Sequence, residues 1–187
     1  MLTLWIAVGA WALGEIVLQL RQLARSDRAT TREWGSYGGI LLAAAVGVVL
    51  ARLVKALVPA WDVSTRLTGL LVVIVVLVVL GGGFRLWSIV ALGQYFRAVV
   101  HIQEGHRVVR SGPYRVLRHP SYTGLLVGLL GVGLLWGNIA SAVVFELSLI
   151  AGVLYRIRIE ERMLLDNLGD SYADYMEHTD RLIPGVW

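Results

Sequence analysis

Between Ser111 and Gly124 the chain reads Ser-Gly-Pro-Tyr-Arg-Val-Leu-Arg-His-Pro-Ser-Tyr-Thr-Gly, directly ahead of an apolar stretch. A plain connector between membrane helices needs none of these prolines, arginines, tyrosines or the histidine. A loop that holds a charged cofactor at a bilayer surface has a use for all of them. Pro120 suits the first turn of a helix, where its missing N–H costs nothing. His119 then sits beside free backbone N–H groups at a positive helix end, a place that attracts a carboxylate or another anion. Gly112-Pro113 forces a turn upstream. A second cluster follows at Arg156, Arg158, Glu160 and Glu161. Neighbouring carboxylates on a helix point about 100° apart, so these two do not form one paired dyad. One faces a site while the other meets solvent or an arginine. A carboxylate there holds an ammonium group, and an arginine holds a carboxylate. By residue type alone, the first cluster fits equally a structural loop with a snorkelling Arg118, and the second a charged cap where a helix leaves the membrane.

Composition removes several classes. The chain has no cysteine among its 187 residues, which excludes disulfides, thiolate metal sites, iron–sulfur clusters and cysteine nucleophiles. It has four histidines, His101, His106, His119 and His178, too few for a membrane di-iron oxygenase. No HExxH, P-loop or GxGxxG occurs, and no metal is assigned. The formal charge of +4 comes without a basic-aromatic face, so it reads as loops beside anionic lipid and not as nucleic-acid binding.

The elements that must position these clusters are membrane-like. The mean hydropathy is +0.68, and 57% of residues are hydrophobic. Five apolar segments lie near 2–20, 36–58, 67–92, 122–136 and 139–155. The first lacks a basic n-region and a cleavage site, and reads as a retained span. A span needs about 20 apolar residues; the first three qualify, while the last two are short and, joined at Gly137-Asn138, read as a packed hairpin. Gly124/Gly128 and Gly133/Gly137 have GxxxG spacing, which lets helices approach closely in lipid. The β-branched run at 72–79 reads as helix, because lipid leaves only helices or closed barrels. Leu165, Leu168, Tyr172 and Tyr175 recur at helical spacing beyond the fifth segment, with Gly169 as a weak point. The expected fold is therefore all-α: a single polytopic membrane domain over 1–187, with about five transmembrane helices, a cytoplasmic loop and a C-terminal helix. The three N-terminal spans occupy 1–92, and 93–187 carries both clusters.

Thirteen of the 17 basic residues follow the first, third and fifth segments. That bias places the N-terminus outside and the C-terminus in the cytoplasm, with 93–121 and 156–187 on one side. Glu15, Arg85 and Glu146 fall within apolar segments, where charge is costly and usually faces a bundle interior. An Arg85–Glu146 ion pair is one expectation from that placement.

Gly112-Pro113-Tyr114-Arg115 followed by Arg118-His119-Pro120-Ser121-Tyr122-Thr123-Gly124 resembles the signature of the isoprenylcysteine carboxyl methyltransferase family. Arg158-Ile159-Glu160-Glu161-Arg162-Met163-Leu164 resembles its second element. Gly169 to Tyr175 and Arg181 to Pro184 resemble its C-terminal element. The likeness covers about 93–187, and its superfamily includes phospholipid N-methyltransferases. It implies a small helical membrane enzyme that binds S-adenosylmethionine near the cytoplasmic face and releases S-adenosylhomocysteine. On this likeness Tyr114, Arg118, His119, Pro120, Tyr122, Gly124, Glu160, Tyr172 and Tyr175 form the cofactor pocket. Arg156, Arg158 and Glu161 serve the reaction, an arginine orienting a carboxylate on cofactor or substrate. The implied acceptor is the carboxylate of an isoprenylcysteine-like or other lipophilic substrate, small or carried on a prenylated partner, reached from membrane lipid. At this length the chain is similar to compact prokaryotic members, in the inner membrane. Amine methylation of phosphatidylethanolamine, thiol methylation and a non-catalytic scaffold remain alternatives.

Overall fold

The computed structural model describes residues 2–24, 29–33, 35–65, 68–95, 100–103 and 108–186. Arg25, Arg28, Arg66, Arg97, His106 and Arg107 lie outside that set. Six α-helices dominate: α1 (Leu2–Ala24), α2 (Gly35–Leu57), α3 (Thr68–Leu92), α4 (Pro120–Leu134), α5 (Ile139–Leu168) and α6 (Asp170–Glu177). The segments Tyr37–Leu57, Thr68–Leu92 and Ile139–Leu168 are long and apolar enough to cross a membrane. Leu4–Leu18 and Pro120–Leu134 are shorter apolar helices. The helical membrane fold expected from the sequence is thus observed, with three of its five apolar helices long enough to span among the described residues, the fifth in place of the first; two further differences follow.

The first difference concerns the fifth segment. It does not stop near Tyr155 but continues as helix to Leu168, 30 residues in all, about 45 Å at the α-helical rise. Leu, Met, Arg and Glu are all good helix formers, so leaving the apolar region gives the backbone no reason to stop. Gly169 ends α5 at a φ of +52°, and α6 starts at once. The second difference is a short ribbon. β1 (Ala29–Glu33) pairs antiparallel with β2 (Val100–Gln103), Arg32 opposite His101. It joins the connection after α1 to the connection after α3, so both lie at one end of the bundle.

Around the bundle α1 packs on α3, α3 on α4, α4 on α5 and α5 on α2. The closeness comes from small residues. A Cβ added at Gly81 of α3 would lie 2.7 Å from the Gly124 carbonyl oxygen and 2.7 Å from the Gly128 Cα. One added at Gly124 would lie 2.6 Å from the Arg85 nitrogen. The Gly124/Gly128 spacing therefore does bring two backbones together. On α2 a stripe at every fourth residue, Gly39, Ala43, Gly47 and Ala51, faces α5. Ala43 packs on Gly152, and Ala51 accepts a hydrogen bond from Ser141 Oγ at 2.8 Å.

At the end away from the ribbon, Asn138 caps α5 by accepting from Ser141 N at 2.9 Å. Its amide also donates to Val58 O at 2.9 Å and Asp62 Oδ1 at 2.8 Å. The expected tight turn at Gly137 is present, with φ +67°. These bonds tie the α2–α3 connection to the α4–α5 turn.

Gly81→Ala forces its methyl into backbone that has no rotamer to yield, so it should cost about 1–3 kcal/mol. Gly83 of the same helix has open space at its Cβ position. Thermal unfolding in detergent should show a clear fall in Tm for Gly81→Ala and none for Gly83→Ala.

Candidate active site

Three stretches distant in sequence meet at the ribbon end: the loop 108–119 with the first turn of α4, the polar half of α5, and the tail after α6. The loop and tail run side by side. Arg118 N donates to Asp180 O at 2.7 Å, His119 N to Arg181 O at 3.0 Å, and Asp180 N to Val116 O at 2.9 Å. Thr123 Oγ1 adds a bond to Leu182 O at 2.8 Å. α6 is fastened from above, where the Tyr175 hydroxyl donates to Tyr114 O at 2.8 Å and Leu117 O at 3.2 Å. On the surface Arg110 pairs with Asp174 at 2.7 Å, and this guanidinium holds the exposed Asp174 carboxyl below its ordinary value.

Glu161 is where the three stretches converge. Its carboxylate is 4% exposed. Arg118 Nε donates to Oε1 at 3.0 Å, and Arg181 Nε donates to Oε2 at 3.0 Å. Arg181 Nη2 also stands 3.0 Å from Oε2, and His119 Nε2 3.3 Å from Oε1. With a carboxylate facing it, that imidazole nitrogen carries the proton, since the oxygen only accepts. Arg118 then reaches the tail: Nη1 donates to Met176 O at 2.9 Å and also to Thr179 O. Both oxygens of Glu161 are therefore engaged, and Arg118 is spent on holding the loop to the tail.

Glu160 points elsewhere, as the 100° step requires. It accepts from the Tyr122 hydroxyl at 2.9 Å on Oε2, and 25% of its side chain is exposed. The Tyr122 hydroxyl in turn accepts from Arg156 Nε. Arg156 is 3% exposed and lies 4.0 Å from Glu160, one helical turn away. His119 stacks on Tyr122 with ring centres 5.8 Å apart. Tyr114 and Tyr172 are buried beside this group. Burial pushes both phenols well above the ordinary tyrosine range, and the Glu160 charge pushes them further. Burial also raises Tyr175, to about 12, against the nearby Arg118 charge. All three stay protonated donors at neutral pH. The hydroxyls of Tyr114 and Tyr172 have no hydrogen-bond partner among the described residues, and neither is sealed from the surface.

The structure thus brings together Tyr114, Arg118, His119, Tyr122, Arg156, Glu160, Glu161, Tyr172 and Tyr175. Arg158 is exposed on the other side of α5, about 200° from Arg156, and no contact joins it to the group. Pro120 is the buried first residue of α4. Gly124 is buried against the Arg85 backbone, where its lack of a side chain serves packing. The expected Arg85–Glu146 pair is not formed. Arg85 binds Glu15 instead, with Nη2 3.1 Å from Oε2, because α1 and not α5 lies against α3 at that level. Arg181 stands in the C-terminal motif with no role legible from its residue type; its place three residues before Pro184 was the available signal.

Glu161→Gln keeps the shape and removes the charge, leaving Arg118 and Arg181 facing a neutral amide. An uncompensated buried charge costs about 3–5 kcal/mol. At about 2–4 °C per kcal/mol for this size, Tm should fall by on the order of 10 °C, measured by thermal unfolding in detergent.

The comparisons with known proteins agree with this architecture. Residues 72–166 match the family model described as the isoprenylcysteine carboxyl methyltransferase (ICMT) family. A protein-S-isoprenylcysteine O-methyltransferase of Schizosaccharomyces pombe is 36% identical over 107 residues, covering 50% of this chain and 45% of that protein. A probable protein-S-isoprenylcysteine O-methyltransferase of Oryza sativa subsp. indica is 31% identical, covering 59% of each. The chain thus spans about half the length of the curated relatives it matches. The solved structure of a eukaryotic intramembrane Ras methyltransferase ICMT superposes with a TM-score of 0.52 at 25% identity, over 78% of this chain and 52% of that one. The matched segment contains the GPYR turn, the first turn of α4 and the Glu160–Glu161 step, so motif, geometry and likeness coincide: this integral membrane chain belongs to the isoprenylcysteine carboxyl methyltransferase family.

Proposed function

We propose that the chain is an S-adenosylmethionine-dependent carboxyl methyltransferase whose acceptor is the carboxylate of an isoprenylcysteine-like lipid. One observation carries the reading. Glu160, Tyr122 and Arg156 form a hydrogen-bonded carboxylate–phenol–guanidinium series at the end of a bundle of apolar helices, with two phenol donors beside it that have no partner among the described residues.

The residues present fit the cofactor. Glu160 Oε1 accepts no hydrogen bond among the described residues, which suits an ammonium group. The Tyr114 and Tyr172 hydroxyls suit the polar oxygens of a ribose or amino-acid moiety. The faces of Tyr114, Tyr122 and Tyr172 suit a cation, since aromatic rings attract positive charge. S-adenosylmethionine, when bound, supplies an electrophilic methyl on a sulfonium.

The protein's share is placement. A carboxylate acceptor is ionised at neutral pH and needs no general base. It needs orientation in line behind the methyl at near-attack distance, which removes part of the barrier in advance. Arg156 supplies the buried positive charge that holds it, and Tyr122 fixes the guanidinium. The tail and α6 cover the loop and keep water from the carboxylate, which strengthens each of these contacts. Glu161 acts here by holding the loop, α5 and the tail in register. Arg158, exposed on the other side of α5, has no part in this arrangement. A lipid tail enters sideways between helices while its head stays at the interface. The arginine excess at the site end supports a cytoplasmic position for that end and for the C-terminus.

Purified protein should transfer labelled methyl from S-adenosylmethionine to N-acetyl-S-farnesylcysteine and not to phosphatidylethanolamine. Between about pH 6.5 and 8.5 the rate should change less than about twofold, because the acceptor carries no proton to lose. Transfer to the amine lipid with a rate climbing through that range would overturn the carboxylate reading.

A further inference from the structure

Glu15 lies on α1, outside the segment that matches the family, yet it reaches the site in two steps. Arg85 of α3 grips it with two prongs, Nε on Oε1 and Nη2 on Oε2, the second at 3.1 Å. Trp11 Nε1 donates to the same carboxylate at 3.1 Å, which fixes its rotamer. The two side chains are 12% and 17% exposed. The remaining prong, Arg85 Nη1, donates to Ser121 O at 3.3 Å. Ser121 is the second residue of α4, between Pro120 and Tyr122. Two residues upstream of it is His119.

The same arginine is coupled to α4 through its backbone, because Gly124 packs onto Arg85 N and Cα. Its charge is also felt in the loop. The Tyr114 phenol is raised by burial and by Glu160, and the Arg85 charge opposes that rise. One guanidinium thus stands between α1, the first turn of α4 and the GPYR turn. Arginine suits this position, since its planar fork satisfies a carboxylate on one side and a carbonyl on another without choosing between them. An arginine placed there without Glu15 would be an unpaired cation in an apolar bundle and would re-aim at the acceptors that remain.

We propose that Glu15 and Arg85 are positioning residues for the cofactor pocket: the pair sets the height and rotation of the first turn of α4, and with it His119 and Tyr122, so that α1 completes the site. The inference rests on the function proposed above. It requires that breaking the pair changes ligand affinity in protein that is still folded. A pair that only staples α1 to α3 would lower stability and leave affinity alone.

The test is calorimetric titration of S-adenosylhomocysteine into the detergent-purified full chain, beside thermal unfolding of each sample. Glu15→Gln should weaken binding by about tenfold, within the range of couplings carried through packed neighbours. Arg85→Lys keeps a cation beside Glu15 but loses the fork that also reaches Ser121, so it should weaken binding with the fold retained. Combining the two should be no worse than the weaker single variant, since both remove one device. Wild-type affinity in either folded variant, with only Tm lowered, would overturn the inference and leave the proposed function standing. No binding to folded wild-type protein would overturn both.

Discussion

Everything at the ribbon end depends on one carboxylate. Glu161 is buried, and Arg118, His119 and Arg181 close on it from the loop before α4 and from the tail. These residues are 43, 42 and 20 positions away along the chain. Inside a low-dielectric shell, buried charges tolerate one another only when every partner is in place. The loop, α5 and the tail are therefore held as one unit. Because Glu161 turns inward, its neighbour Glu160 is rotated a quarter-turn or so away, toward Tyr122 and Arg156. The division between a carboxylate that holds and a carboxylate that remains open follows from helical geometry alone.

That unit has to be seated on the bundle, and small residues do the seating. Gly81, Gly124 and Gly128 let α3 and α4 touch backbone to backbone, which brings Arg85 level with the first turn of α4. Gly39, Ala43, Gly47 and Ala51 do the same for α2 and α5. α4 has only 15 residues, about 22 Å of helix, less than the apolar thickness of a bilayer. Its N-terminus thus begins below the level reached by α5. The polar half of α5 rises past it and the tail folds back over the step. A short helix beside a long one puts the Glu160–Tyr122–Arg156 group at the step between them.

Much of this was legible in the sequence. Hydropathy placed the helix cores to within a few residues, since lipid leaves only helices or closed barrels and no barrel pattern is present. Gly112 to Gly124 stood out because its residue types serve no purpose in a connector. Other features were hidden for physical reasons. α5 was expected to end near Tyr155, because loss of hydropathy marks the end of an apolar face and not the end of a helix. Arg85 was paired with Glu146 on shared oddity, but partners depend on which helices are neighbours and how each is rotated. Glu160 and Glu161 were indistinguishable as letters; only the rotation of α5 separates them. The pairing of β1 with β2 left no mark, as five- and four-residue strands carry too little pattern to read.

The central claim is that Glu160 faces the ligand while Glu161 holds the fold. The most direct measurement is the Kd of S-adenosylhomocysteine for Glu160→Gln, by calorimetry, with Tm recorded on the same sample. Glu160→Gln should stay folded, with a Tm above that of Glu161→Gln, and its Kd should be weakened at least about tenfold, as for loss of a charge-assisted hydrogen bond. An unchanged Kd in stable Glu160→Gln protein would contradict that claim.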